Sequence, residues 1–99
     1  MKIIIFSILG YILSNTYNDS LLFLQKNDNY LRIIELADDA IKKSIKLDHS
    51  FFKSASESAL KVDDFDKSIQ FLKKAISLND NKSYRQEWDR IVRMRKDIE

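Results

Sequence analysis

Gly10 is the only glycine among 99 residues, and proline is absent. Sheet folds draw on both residues for their turns, so a chain without them is directed toward helices joined by short polar connectors. The apolar residues agree. Across 51–80 (FFKSASESALKVDDFDKSIQFLKKAISLND) small and apolar side chains recur at i, i+3, i+4 and i+7. Phe52, Ala55, Ser56, Ala59 and Leu60 line one stripe; Phe65, Ser68, Ile69, Leu72, Ala75 and Ile76 line the next. Two amphipathic helices around an acidic turn at Asp63 and Asp64 are therefore expected. Such a pair cannot bury its apolar stripe alone and calls for neighbours of the same kind.

The N-terminal stretch differs in composition. Lys2 precedes IIIFSILGYIL, an uncharged run with the character of a signal-peptide core and short for a bilayer span. Ser14 and Thr16 supply small residues one position apart, so 1–16 reads as a leader cleaved after Thr16. The alternatives are a buried first helix, or an uncleaved anchor lengthened by 17–24. Residues 17–99 then form one small domain: a hairpin over 18–47, a hairpin over 50–79 and a capping helix over 83–98.

Within it, Asn18 or Asp19 is expected to cap a short helix whose apolar face is Leu21, Leu22 and Leu24. Asn27-Asp28-Asn29 breaks that helix. A longer helix over 30–47 presents Tyr30, Ile33, Ile34, Ala37, Ile41, Ser44 and Ile45 on one side, with Asp38–Lys42 and Asp39–Lys43 as i, i+4 pairs. Ser50 is a candidate cap for the next helix. Ser83 is expected to cap the last, with Gln86 completing an S-x-x-Q box. That helix carries Tyr84, Trp88, Ile91 and Ile98 along one stripe. The expected core includes Ile34, Ile41, Phe52, Ala59, Phe65, Ile69, Leu72 and Trp88.

The segment 51–80 resembles a tetratricopeptide repeat, a helix–turn–helix unit of about 34 residues. Phe52 takes the tryptophan place, Ala55 the leucine, Ser56 the glycine and Ala59 the tyrosine; Ser68 takes the alanine and Leu72 the aromatic place. AIKKSIKLD (40–48) looks like the exit of a preceding repeat, and Trp88 with Ile91 and Val92 like the start of a following one. His49 and Asp80 stand where the family often has proline. Ser44 is three residues too close to Ala75 for a full repeat. The resemblance implies an all-α, antiparallel stack of helical hairpins, a short solenoid, whose groove is lined by the first helix of each pair. By position, Lys53, Glu57, Leu60 and Lys61 would face a protein or peptide there. Glu57 falls on the asparagine place of the subclass that clamps acidic peptide tails, which argues against such tails as the ligand.

Reactive constellations are missing from the pattern. The chain has no cysteine, and His49 is its single histidine, in a polar connector without nucleophile spacing. Asp63, Asp64 and Asp66 lack the glycine and distal glutamate of a calcium loop and read as charges at a helix start. No catalytic residue, metal ligand or cofactor is expected. Arg85, Arg90, Arg93 and Lys96 make the last helix basic, but the net charge of +2 gives little case for nucleic acid. So short a stack leaves apolar surface at its ends, and a partner or self-association through the Trp88 helix is the expected cover. A membrane enters only if the N-terminal segment is retained.

Overall fold

The computed structural model describes residues 2–98, with side chains from 12 to 97. Five helices account for nearly all of it: α1 (Lys2–Lys26), α2 (Tyr30–Lys42), α3 (His49–Lys61), α4 (Phe65–Leu78) and α5 (Lys82–Ile98). Among the described residues there is no strand. Each helix packs mainly on its neighbours in sequence, and α3 with α4 share the most extensive interface.

Three helices end in the same way, without glycine. Asp28, Ser44 and Asp63 adopt positive φ of 51, 54 and 59°. In each case the N–H after that residue reaches back to the carbonyl five positions earlier: Asn29 to Leu24, Ile45 to Ala40 and Asp64 to Ala59, all at 2.9 Å. These are Schellman closures, which satisfy carbonyls that a helix end leaves without partners. Asn29 and Asp64 then serve at once as caps of the following helices, accepting from the Arg32 and Lys67 N–H groups. One residue thus ends the first helix and starts the second.

The two tight turns stand 35 residues apart, Tyr30 opening α2 and Phe65 opening α4. At that offset the buried positions coincide. Ile33 and Ser68, Ala37 and Leu72, and Ala40 and Ala75 are all fully buried. The partner of Ala75 is therefore Ala40. The expected pairing of Ser44 with Ala75 was one turn out, because α2 stops at Lys42 and Ser44 lies in the turn.

Hydrogen bonds from α1 to α2 and its flanking residues step in opposite directions along the chain: Leu24 with Asn29, then Tyr17 with Asp39, then Ser14 with Lys46 beyond the end of α2. The α3–α4 pair behaves alike, from Ala59 with Asp64 to Ser56 with Ser68. Asp66 near the start of α4 meets Arg95 near the end of α5 at 2.9 Å. Contacts also link alternate helices. Lys67 on α4 reaches Asp38 on α2 at 2.9 Å, and the His49 ring on α3 meets the Tyr84 hydroxyl on α5 at 2.7 Å.

Phe51, Phe52, Phe71, Ile33, Leu72 and Ile91 form the fully buried centre, each Phe or Leu contributing about 1.5–3 kcal/mol by burial. Ile34, Phe52, Ala59 and Leu72 of the expected core are buried, while Ile41, Phe65, Ile69 and Trp88 pack partly against it. Several local expectations change. The helix expected to begin at Asn18 is one continuous helix from Lys2, and Leu22 faces solvent. Asp48, not Ser50, caps α3, its carboxylate accepting from the His49 N–H at 2.6 Å. Asn81, not Ser83, caps α5, its side chain accepting from the Tyr84 N–H at 2.9 Å. In both cases the acceptor sits two residues earlier, so the helix gains that much length. The Ile98 side chain lies outside the described residues.

Candidate partner-binding surface

Lys53, Glu57, Leu60 and Lys61 all belong to α3, whose opposite face carries the buried Phe51, Phe52, Ala55, Ser56 and Ala59. Helical spacing brings Lys53 and Glu57 one turn apart, and they form an ion pair at 2.8 Å. The glutamate expected to repel acidic ligands is therefore neutralised by the lysine beside it. Leu60 packs partly into the core, and Lys61 stands exposed in the last turn, where the helix dipole favours a cation. The face offers one free cation, one neutralised pair and an apolar edge. That arrangement can hold a polar backbone and an apolar side chain.

The basic C-terminal helix is less basic than its composition. Arg85 grips Asp80 through two bonds of 2.6 Å, and Arg90 reaches Glu87 at 2.5 Å. Hydrogen bonding to Asp80 and to Glu87 holds each guanidinium more firmly protonated, and Arg85 in turn holds the Asp80 carboxyl below its usual range. Arg93 and Lys96 remain exposed on the side away from Ile91. Counterion release scales with the cations that meet phosphates, so local pairing weakens the case for a nucleic-acid surface.

His49 has a structural position that the pattern of the sequence did not disclose. Its ring is partly buried between three elements, with Nδ1 on the Tyr84 hydroxyl and Nε2 on the Asn79 amide at 3.1 Å. It ties the start of α3 to the end of α4 and the start of α5. Tyr84 was legible as an apolar-stripe residue, but a contact 35 positions away from His49 has no local signature. The Tyr17–Asp39 bond was hidden in the same way. Asp39 also keeps its expected partner Lys43 at 3.3 Å, whereas Asp38 turns to Lys67 on α4.

Among the described residues no group of three His, Asp or Glu side chains is placed to hold a metal ion, and no helix is long and apolar enough to cross a membrane. No protein-family model, curated protein or solved structure matches the chain.

Proposed function

We propose that this chain is a short helical-repeat protein of tetratricopeptide type that binds a peptide or partner helix and catalyses no reaction. The observation that carries this reading is the recurrence, at a 35-residue offset, of one closure-and-cap turn together with the same buried positions. Repeat units of this kind stack hairpin on hairpin, and the links from α2 to α4 and from α3 to α5 support such a stack. In it α5 acts as the cap, with Arg85, Asp89, Arg93 and Lys96 on its uncovered side. The α3 face with Lys53, Glu57, Leu60 and Lys61 is the docking surface.

The placement we favour is export, with cleavage after Thr16. Among the described residues the core begins at Tyr17, while Ile12, Leu13, Asn15 and Thr16 are exposed. Cleavage there would forfeit one described tie, the Ser14 hydroxyl to the Lys46 carbonyl at 2.7 Å. An anchored form is the second placement. With Tyr17 tied to Asp39, the run 3–13 supplies about 16 Å of helix against about 30 Å of hydrocarbon. An anchor that draws on 17–24 as well requires α1 to leave α2. Sequencing the N-terminus of the protein from its native source decides between them: Tyr17 as first residue supports export, Met1 the anchor.

The binding surface is tested by affinity capture from native extract with wild type and a Lys53→Glu, Lys61→Glu double variant, both checked for helical circular dichroism. Loss of captured partners in the variant is expected. Equal capture by the two proteins would remove α3 as the docking face.

A further inference from the structure

The two ends of the molecule differ in a way the internal equivalence makes measurable. At the 35-residue offset α1 corresponds to α3, so Phe23 takes the place of Ser58. Ser58 is only 5% exposed, inside the molecule, whereas Phe23 is 66% exposed. A large apolar side chain thus stands uncovered where the internal unit has a small covered one. Phe23 itself lines one side of an open groove of about 660 Å³ framed by α1 and α2, with Leu24 and Leu36 also in its wall and Asp19, Arg32 and Glu35 at its rim. Hydrophobic groove, aromatic knob and both signs of charge lie on one face.

We infer that this face joins two copies of the chain about a two-fold axis. Phe23 of each copy enters the α1–α2 groove of the other, and Arg32 of each meets Asp19 or Glu35 of the other. A two-fold contact uses the same patch twice and so requires self-complementarity, which a knob, a groove and opposite charges on one patch supply. Arg32 and Glu35 already lie 3.3 Å apart within one copy, both side chains largely exposed, so little rearrangement is needed to share them.

A head-to-tail contact is the competing arrangement, and charge opposes it. Within the chain, successive hairpins are pinned by Lys67 against Asp38. The same offset places Arg32 where Lys67 stands and Lys73 where Asp38 stands. Continuing the stack with a second copy would set Lys73 against Arg32, two like charges. The outer side of α5 is mostly charged, with Arg85, Asp89, Arg93 and Lys96 exposed on it. Trp88, on the helix expected from the sequence to carry self-association, packs partly against the core. A hairpin face of this size buries on the order of 600 Å² per copy, near the lower bound for a stable pair, so micromolar dissociation is expected.

This inference rests on the equivalence of the hairpins that underlies the repeat reading, yet its test does not use any partner. Sedimentation velocity of the purified full chain over a rising concentration series should show a monomer–dimer equilibrium. Phe23→Asp should leave a helical monomer. Arg32→Glu and Glu35→Arg should each weaken dimerisation about tenfold, and the double exchange should restore it. A monomer at every concentration overturns the inference, as does a dimer indifferent to Phe23→Asp. Open-ended association, or flotation of a monomeric wild type with phosphatidylcholine–phosphatidylglycerol vesicles that Phe23→Asp abolishes, would assign the face to another occupant and overturn it too. Loss of partner capture in the Lys53, Lys61 variant with dimerisation intact keeps the two readings separate.

Discussion

Ser56 and Ser68 exchange hydrogen bonds across the α3–α4 crossing: the Ser56 hydroxyl donates to the Ser68 carbonyl at 2.8 Å, and the Ser68 hydroxyl to the Ser56 carbonyl at 2.9 Å. Their hydroxyl oxygens are also 2.9 Å apart, and both residues are buried. Only small side chains let two helix backbones approach so closely, and the hydroxyls satisfy their own polarity against the facing carbonyls. The same places in the first hairpin hold Leu21 and Ile33, two bulky groups where α3 and α4 have two small ones.

Replacing either serine by alanine should therefore cost about 1 kcal/mol in denaturant unfolding, and the double variant should cost less than the sum. Ser68→Leu should cost more, about 1–3 kcal/mol from overpacking. If Ser68→Leu is neutral, the crossing is not as close as the bonds require.

The Schellman turns predict gains. Ser44 holds a positive φ of 54° with no local carboxylate or amide to favour it. Ser44→Gly removes the side-chain penalty and should stabilise the protein by about 0.5–1 kcal/mol. Asp63→Gly should gain less, since aspartate tolerates this conformation better. Thermal unfolding of the two variants beside wild type measures the difference.

The α1–α2 hairpin should respond to pH at both ends of the scale. The Tyr17 hydroxyl, with help from Lys43, holds the Asp39 carboxyl below its usual range against the push of partial burial. The bond to Asp39, then burial and charge, raise the Tyr17 hydroxyl above the usual tyrosine value. For a lowered carboxyl the stabilisation is present above its unfolded value and is lost as pH falls through the folded one. For a raised hydroxyl it is present below its unfolded value and is lost as pH rises through the folded one. Protection of the amides in the Tyr17 turn, taken relative to an unfolded chain at the same pH, should fall at acid pH, where Asp39 protonates, and at strongly alkaline pH, where Tyr17 ionises. Tyr17→Phe should remove the alkaline dependence and weaken the acid one to the part that Lys43 and Lys42 sustain, and a Tyr17→Phe profile identical to wild type would show that the bond is not made in solution.

Leu72 and Phe71 sit fully buried at adjacent positions of α4, on the side that meets α3 and on its flank. Leu72→Ala should lower unfolding stability by about 2–5 kcal/mol and Phe71→Ala by about 3–5 kcal/mol, in each case through a cavity the helices cannot close. A small domain has only about 5–15 kcal/mol to lose, so either variant should unfold well below the wild-type temperature. A near-neutral Leu72→Ala would mean that the α4 face is turned away from α3.

The all-helical class followed from the sequence itself, because helical period in the apolar residues is a local property that needs no partner to be seen. The acidic turn at Asp63-Asp64 was legible for the same reason: carboxylates bond nearby N–H groups within a few residues. Boundaries were less secure. Nothing in KKSIKLD announces that α2 stops at Lys42, since Ile41 and Ile45 continue the period while Ser44 takes a left-handed turn that only the closure onto Ala40 stabilises. Phe51 and Phe71 lay beside the expected stripes, and they became core because neighbouring helices cover more than one stripe of α3 and α4. The candidate face on α3 came only from the resemblance to a tetratricopeptide repeat, by position, and neither the pairing of Lys53 with Glu57 nor the uncovered Phe23 was visible in the sequence. The tertiary structure decided those, together with the His49–Tyr84 and Tyr17–Asp39 bonds, because they join residues far apart in the chain and depend on how one helix lies against the next.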